Sequence, residues 1–201
     1  MVNVVIFDFD GVIADSLPVV DKAARAVFQR LKYSFPTINR DDDLKNILTK
    51  EMKLNAFQQL RLIKAMRKEV AALKEDMQLF QGMRELFEEL IKDHQVMILS
   101  SNAFETIDAL LRKHHFPEIK IISDSSLFGK DKVLKRVLKN HNLSPNDVVY
   151  IGDEVRDVEA CKKVGVPIFA VSWGYNSEKS LVKAGATQII RSPEEIIRLL
   201  Q

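Results

Sequence analysis

The feature that most constrains this chain is an alternation of two kinds of segment. Short, β-branched apolar runs end in small or acidic residues, and stretches of helical period lie between them. Residues 2–9 form the first run and stop at Gly11. Residues 96–99 stop at Ser100-Ser101-Asn102, 119–122 at Ser123-Asp124, 148–151 at Gly152-Asp153, and 167–171 near Trp173-Gly174. Residues 188–190 form a shorter last run. An apolar run without polar alternation is the mark of a strand buried on both faces, as in a parallel sheet. Residues 83–91 set Met83, Leu86, Phe87, Leu90 and Ile91 at helical spacing, and 103–113, 130–141, 154–164 and 193–200 behave likewise. Gly165 before Val166-Pro167 is a helix stop, and Ser192-Pro193-Glu194-Glu195 a helix start. Together these predict an α/β fold of βα units around a parallel sheet.

One stretch breaks the alternation. From about residue 15 to about residue 79 no strand pattern occurs. Residues 23–31 and 56–79 read as helices, 33–40 as a loop, and Asp41-Asp42-Asp43 opens a short helix through Leu48. Such an interruption, of roughly 65 residues, far exceeds an ordinary βα connection of about 2–6 residues, so a small helical domain is expected there.

Composition narrows the class. With 46% hydrophobic and 29% charged residues the chain is that of a folded globular protein, not a disordered one. Cys161 is the single cysteine, which suits a reducing compartment and excludes a disulfide within the chain. A net charge of +2, dispersed along the sequence, argues against a nucleic-acid partner. Residues 4–7 are apolar but are cut short by Asp8 and Asp10, so no secretory segment is read there. No apolar run approaches the roughly 20 residues of a membrane span. The expected location is the cytoplasm, and the oligomeric state is not legible. From Ser16 to Phe80 there are 13 Lys and Arg against 8 Asp and Glu. This is either a basic lid over an anionic substrate or, with Lys64, Arg67, Lys68 and Lys74, solvated helix faces.

In open α/β sheets, ligands bind beyond the carboxyl ends of the strands. The residues expected at those ends are Asp8, Asp10 and Gly11; Ser100, Ser101 and Asn102; Lys130, a little beyond the third strand; and Gly152, Asp153, Glu154 and Asp157. Asp8 and Asp10, two apart in an extended segment, point the same way. Their like charges call for a divalent cation, to which Asp153 adds a further oxygen. Magnesium suits so sparse a cage, completing its shell with waters and phosphate oxygens. One carboxylate is then free to attack phosphorus while the other moves the leaving-group proton. Lys130, the Ser101 hydroxyl and backbone N–H groups near Gly11 are suited to hold the phosphoryl charge.

Four segments carry a family resemblance. Asp8-Phe9-Asp10-Gly11-Val12 after an apolar strand, the strand ending in Ser101-Asn102, Lys130, and Gly152-Asp153-Glu154-Val155-Arg156-Asp157 resemble, in order, the four motifs of the haloacid dehalogenase-like hydrolase superfamily. The helical insertion, Gln81-Gly82 and Trp173-Gly174-Tyr175-Asn176 resemble its phosphoglycolate-phosphatase-like branch. The resemblance implies a Rossmann-like core of residues 1–15 and 80–201 with a helical cap, 16–79, inserted after the first strand. It implies a magnesium-dependent phosphatase acting on a small phosphorylated metabolite. Asp8 would form an aspartyl-phosphate. Asp10 would protonate the leaving oxygen and activate water. Ser101 and Lys130 would bind phosphate, with Gly11 and Asn102 beside them. Asp8, the backbone carbonyl of Asp10 and Asp153 would hold magnesium, and Asp157 would support the metal shell or orient Lys130.

Some choices stay open at this level. Glu154 is either an outer-shell group or a favourable acid in the first turn of a helix. Lys132 competes with Lys130, and Ser100 with Ser101. A phosphomutase of the same family would share the core residues, and a catalytically silent binding module would share the fold. His94, His114, His115 and His141 fall near helix ends and are assigned no catalytic role. Cys161 reads as a buried small hydrophobe.

Overall fold

The computed structural model describes residues 2–37, 39–40, 47–124 and 129–201. The chain divides into two compact units, Met1–Asp15 with Leu79–Gln201, and Ser16–Gln78.

The larger unit is built on a parallel sheet. Its strands among the described residues are β1 (Val4–Phe7), β2 (Gln95–Ser100), β3 (Lys120–Ser123), β4 (Val148–Gly152), β5 (Ile168–Val171) and β6 (Gln188–Ile190). Their order in the sheet is β3-β2-β1-β4-β5-β6. The chain runs outward from β1 through β2 to β3, then crosses back to β4 on the other side of β1. That reversal beside β1 is a topological switch point, where the loops after β1 and β4 splay apart and leave a crevice. Register makes those loops neighbours. Phe7 lies opposite Ile151 of β4 and Ile98 of β2, and the Asp8 N–H donates to the Ile151 carbonyl at 2.8 Å.

Strand alternation sends side chains to both faces. Val4, Ile6, Met97, Leu99, Val148, Tyr150, Ile168 and Ala170 share one buried cluster with apolar residues of α5 (Lys130–Asn140), α6 (Val155–Val164) and α7 (Glu178–Ala184). On α5 those residues are Val133, Leu134, Val137 and Leu138, one helical stripe. On the opposite face, Phe7 meets Phe87 of α3 (Met83–Leu90) at 4.6 Å between rings, and Phe87 meets Phe116. Two further helices, α4 (Phe104–Lys113) and α8 (Pro193–Leu200), complete the unit; α8 packs beside α3.

The smaller unit holds α1 (Leu17–Leu31) and α2 (Ala56–Ala72), which pack on each other around Val27, Phe28, Leu48, Leu54 and Leu62. Arg30 pairs with Glu69 at 2.7 Å across the two helices. Asn55 caps α2 by accepting from the Gln58 N–H, and Gln58 returns the bond. The helix opening expected at Asp41-Asp42-Asp43 lies outside the described residues; Ile47–Glu51 just beyond is a π-helical turn.

The structure differs from expectation at four places. Helix α1 begins at Leu17, six residues before the expected start, because Pro18 supplies the fixed φ of a first turn. Helix α2 ends at Ala72, and a single 3₁₀ turn, Lys74–Asp76, follows it. Two-residue strands, Ala14–Asp15 and Gln78–Leu79, flank the insertion and are too short to show a periodicity. Helix α7, unexpected from the pattern, starts where the Ser177 hydroxyl accepts the Ser180 N–H at 3.2 Å.

Cys161 is buried in the main cluster, and burial pushes its thiol well above the ordinary range. Native protein titrated with a thiol-reactive disulfide at about pH 8 should therefore react negligibly, and one thiol should appear only after unfolding in denaturant. Rapid labelling of the native protein would contradict this packing.

Candidate active site

Asp8 immediately follows β1 and Asp153 immediately follows β4, so the adjacency of those strands brings both carboxylates to the switch-point crevice. Asp157, in the first turn of α6, joins them. One carboxylate oxygen from each of Asp8, Asp153 and Asp157 lies within 4.8 Å of the others, and all three residues are buried. Lys130, the first residue of α5, reaches into this group. Its ammonium donates to Asp8 Oδ2 at 2.6 Å and to Asp157 Oδ1 at 2.5 Å. It also lies 5.4 Å from the centre of the Tyr150 ring. Of the two lysines left open by sequence, Lys130 is the one whose ammonium bridges these carboxylates.

The remaining lone pairs are largely taken by backbone. Asp8 Oδ1 accepts the Phe9 N–H at 2.7 Å. Asp157 Oδ2 accepts the N–H groups of Asp153 (3.4 Å) and Glu154 (3.2 Å), closing the first turn of α6. Asp153 Oδ2 accepts the Tyr175 N–H at 2.6 Å. Asp153 Oδ1 is the exception. It is sealed from solvent and has no hydrogen-bond partner among the described residues.

The Asp10 carboxylate, expected beside those of Asp8 and Asp153, is not one of this group. Its Oδ2 accepts the Asn102 side-chain amide at 2.8 Å. Asn102 is fixed in turn: its N–H donates to the Ser100 hydroxyl at 3.1 Å, and its carbonyl accepts the Ser123 hydroxyl at 2.5 Å. Ser100 ends β2 buried, and Ser101 follows it half-buried. Glu154, partly buried, pairs with Arg156. His94 bonds the Val2 carbonyl, and the Lys120 ammonium donates to His141.

One expectation needs correcting. The Gly11 N–H donates to the Ala14 carbonyl at 2.9 Å, which closes the loop after β1, so it is not free to hold a phosphate oxygen. Gly11 matters for its missing side chain instead. It has φ +73°, and a Cβ there would stand 2.1 Å from Asp153 Oδ2.

The electrostatics follow from burial. Desolvation raises the Asp8 carboxyl above its ordinary value against the pull of Lys130. Asp153 is raised well above it, by burial first and then by Asp157. Burial pushes Glu154 up to about 7, with Arg156 opposing. For Lys130, burial works against the ammonium, but Asp157 and Asp8 outweigh it and keep it charged. With all three carboxylates ionised around one ammonium, two negative charges would be in excess, and one buried oxygen has no partner among the described residues. An all-oxygen donor set with that excess fits a hard divalent cation.

The comparisons agree with this geometry. Residues 5–171 match the family model for haloacid dehalogenase-like hydrolases. The chain belongs to the haloacid dehalogenase-like hydrolases. A phosphoglycolate phosphatase of Synechococcus elongatus is 30% identical, covering 96% of this chain and 95% of the relative. A phosphorylated carbohydrates phosphatase of Thermotoga maritima is 26% identical over 98% and 97%. Among solved structures, a haloacid dehalogenase-like family hydrolase from Streptococcus pneumoniae superposes with a TM-score of 0.82 at 22% identity, covering 100% and 99% of the two chains. A predicted phosphatase from Clostridium acetobutylicum gives 0.84 at 22%, covering 100% and 98%. Within the haloacid dehalogenase-like hydrolases, the chain falls in the phosphoglycolate-phosphatase-like branch.

A raised native carboxyl means that the folded protein holds protons the unfolded chain has already released. Stability of the metal-free protein should then fall as pH rises through those raised values. In chelator, the thermal midpoint should be higher at about pH 6 than at about pH 8, and Asp153→Asn should flatten the difference. A midpoint that climbs with pH across that window would contradict the burial of these carboxylates.

Proposed function

We propose that the protein is a magnesium-dependent phosphatase that hydrolyses a small phosphate monoester through an aspartyl-phosphate on Asp8. The observation that carries this reading is the buried group in which the carboxylates of Asp8, Asp153 and Asp157 share the single ammonium of Lys130. Such a group is costly to stability unless it has a task. Magnesium held by Asp8 and Asp153, with the Asp10 carbonyl, would bring the negative phosphate up to a negative nucleophile and draw charge from its oxygens.

Each residue then has a chemical role. Asp8 attacks phosphorus in line with the leaving oxygen, forming the new O–P bond as the ester O–P bond breaks. Asp10 gives its proton to that departing oxygen. The Asn102 amide fixes the Asp10 carboxyl for this transfer. Asp10, now ionised, takes a proton from water, whose oxygen attacks the phosphorus of the acyl phosphate. Inorganic phosphate leaves and the Asp8 carboxylate is restored. Lys130 offsets charge on Asp8 and on the transferring group, and Asp157 holds it there. Ser101, half-buried just after β2, supplies a hydroxyl to a phosphate oxygen in this reading.

The helical unit acts as the cap that selects the substrate. Its excess of basic residues favours a leaving group that is itself anionic, as in 2-phosphoglycolate. The relatives act on phosphoglycolate and on phosphorylated carbohydrates by their names, which supports a common core with different selection.

The test is turnover of p-nitrophenyl phosphate and of a panel containing 2-phosphoglycolate, sugar phosphates and 5′-nucleotides. Hydrolysis should require magnesium and stop in excess chelator. Asp8→Asn should fall to the uncatalysed background, and Asp10→Asn should lose about 10²–10⁴-fold in kcat. Wild-type turnover no better than that of Asp8→Asn would overturn the reading.

A further inference from the structure

We infer that residues 173–176, between β5 and α7, form a second wall of the metal centre, with Asn176 as a positioning residue for Asp153. This rests on the reading of Asp153 as a ligand of magnesium and goes beyond it to residues outside the four motifs.

The contacts converge from several directions. Asn176 Oδ1 accepts the N–H of Val155, two residues beyond Asp153, at 2.8 Å. The Asn176 N–H donates to the Asp153 carbonyl at 3.2 Å. One side chain and its own backbone thus hold the turn 153–155 at both ends. The Tyr175 N–H ties Asp153 Oδ2 at 2.6 Å. Gly174 lies so close that a Cβ there would stand 2.2 Å from Asp153 Cβ and 2.3 Å from Oδ2. Gly11 closes in on Oδ2 from another loop, at 2.1 Å for its own hypothetical Cβ. The carboxylate has no room to rotate. Oδ2 is bonded, and Oδ1 is left as the buried oxygen without a protein partner. The wall therefore decides which oxygen faces the cation.

Partners that orient a ligand typically cost about 10–100-fold in metal affinity or activity when removed. Loss of the Asn176 amide frees the Val155 N–H and lets the turn bearing Asp153 rock. Titration calorimetry with magnesium chloride in phosphate-free buffer is the direct readout. Asn176→Ala should weaken magnesium binding by about tenfold. Asn176→Asp, which keeps the acceptor oxygen for Val155, should bind magnesium more tightly than Asn176→Ala. Ser177→Ala removes the cap of α7 and should lower the thermal midpoint without weakening magnesium binding. If Asn176→Ala binds magnesium as wild type does, or if Ser177→Ala weakens binding equally, the positioning role is wrong. If Asn176→Ala does not fold, Asn176→Asp binding magnesium at least about tenfold more weakly than wild type overturns it instead. Wild type that binds magnesium but hydrolyses no phosphate ester would sink the proposed function while leaving this inference standing.

Discussion

Three carboxylates shut away from water around one ammonium set the terms for the rest of the structure. Removing charges from water costs several kcal/mol each unless they are paired and hydrogen-bonded. Here the pairing comes from Lys130 on α5, and the hydrogen bonds from backbone N–H groups at Phe9, Asp153, Glu154 and Tyr175. A core designed for stability alone would fill this space with apolar side chains. The sheet order places β1 beside β4, and that adjacency is what gathers charges from distant parts of the sequence.

Much of this was legible in the sequence, for a physical reason. A buried strand must be apolar until it leaves the sheet, so the first polar residues after each run mark the rim of the crevice. Asp8, Ser101 and Asp153 were singled out that way. Lys130 could not be separated from Lys132 by pattern, since both lie in the same first turn and only the packing of α5 turns one ammonium toward Asp8. The part played by Tyr175 left no trace, because it acts through its backbone N–H. Gly11 was visible as a residue, but its use was not. The sequence pattern suggested a backbone donor, and the structure needs an absent Cβ.

Two glycines from loops far apart in the chain, Gly11 and Gly174, make room for the same carboxylate. Either loop alone would leave Asp153 free to turn. Packing in protein interiors is tight enough that one methyl group at either position forces a shift of the group it meets. Rigidity at this carboxylate therefore comes from small residues placed against it as much as from hydrogen bonds.

The loop that carries Asp10 also governs how the chain leaves the sheet unit. The Ile13 and Ala14 N–H groups both return to the Phe9 carbonyl, and the Phe80 N–H donates to the Ile13 carbonyl at 2.9 Å. The exit and re-entry points are thus one hydrogen bond apart. A segment joined at such a gate does not stretch the strands on either side, whatever its length, and long surface insertions carry only a slowly growing closure entropy. Evolution can exchange or remodel the inserted module without redrawing the sheet, so the two units are free to diverge at different speeds.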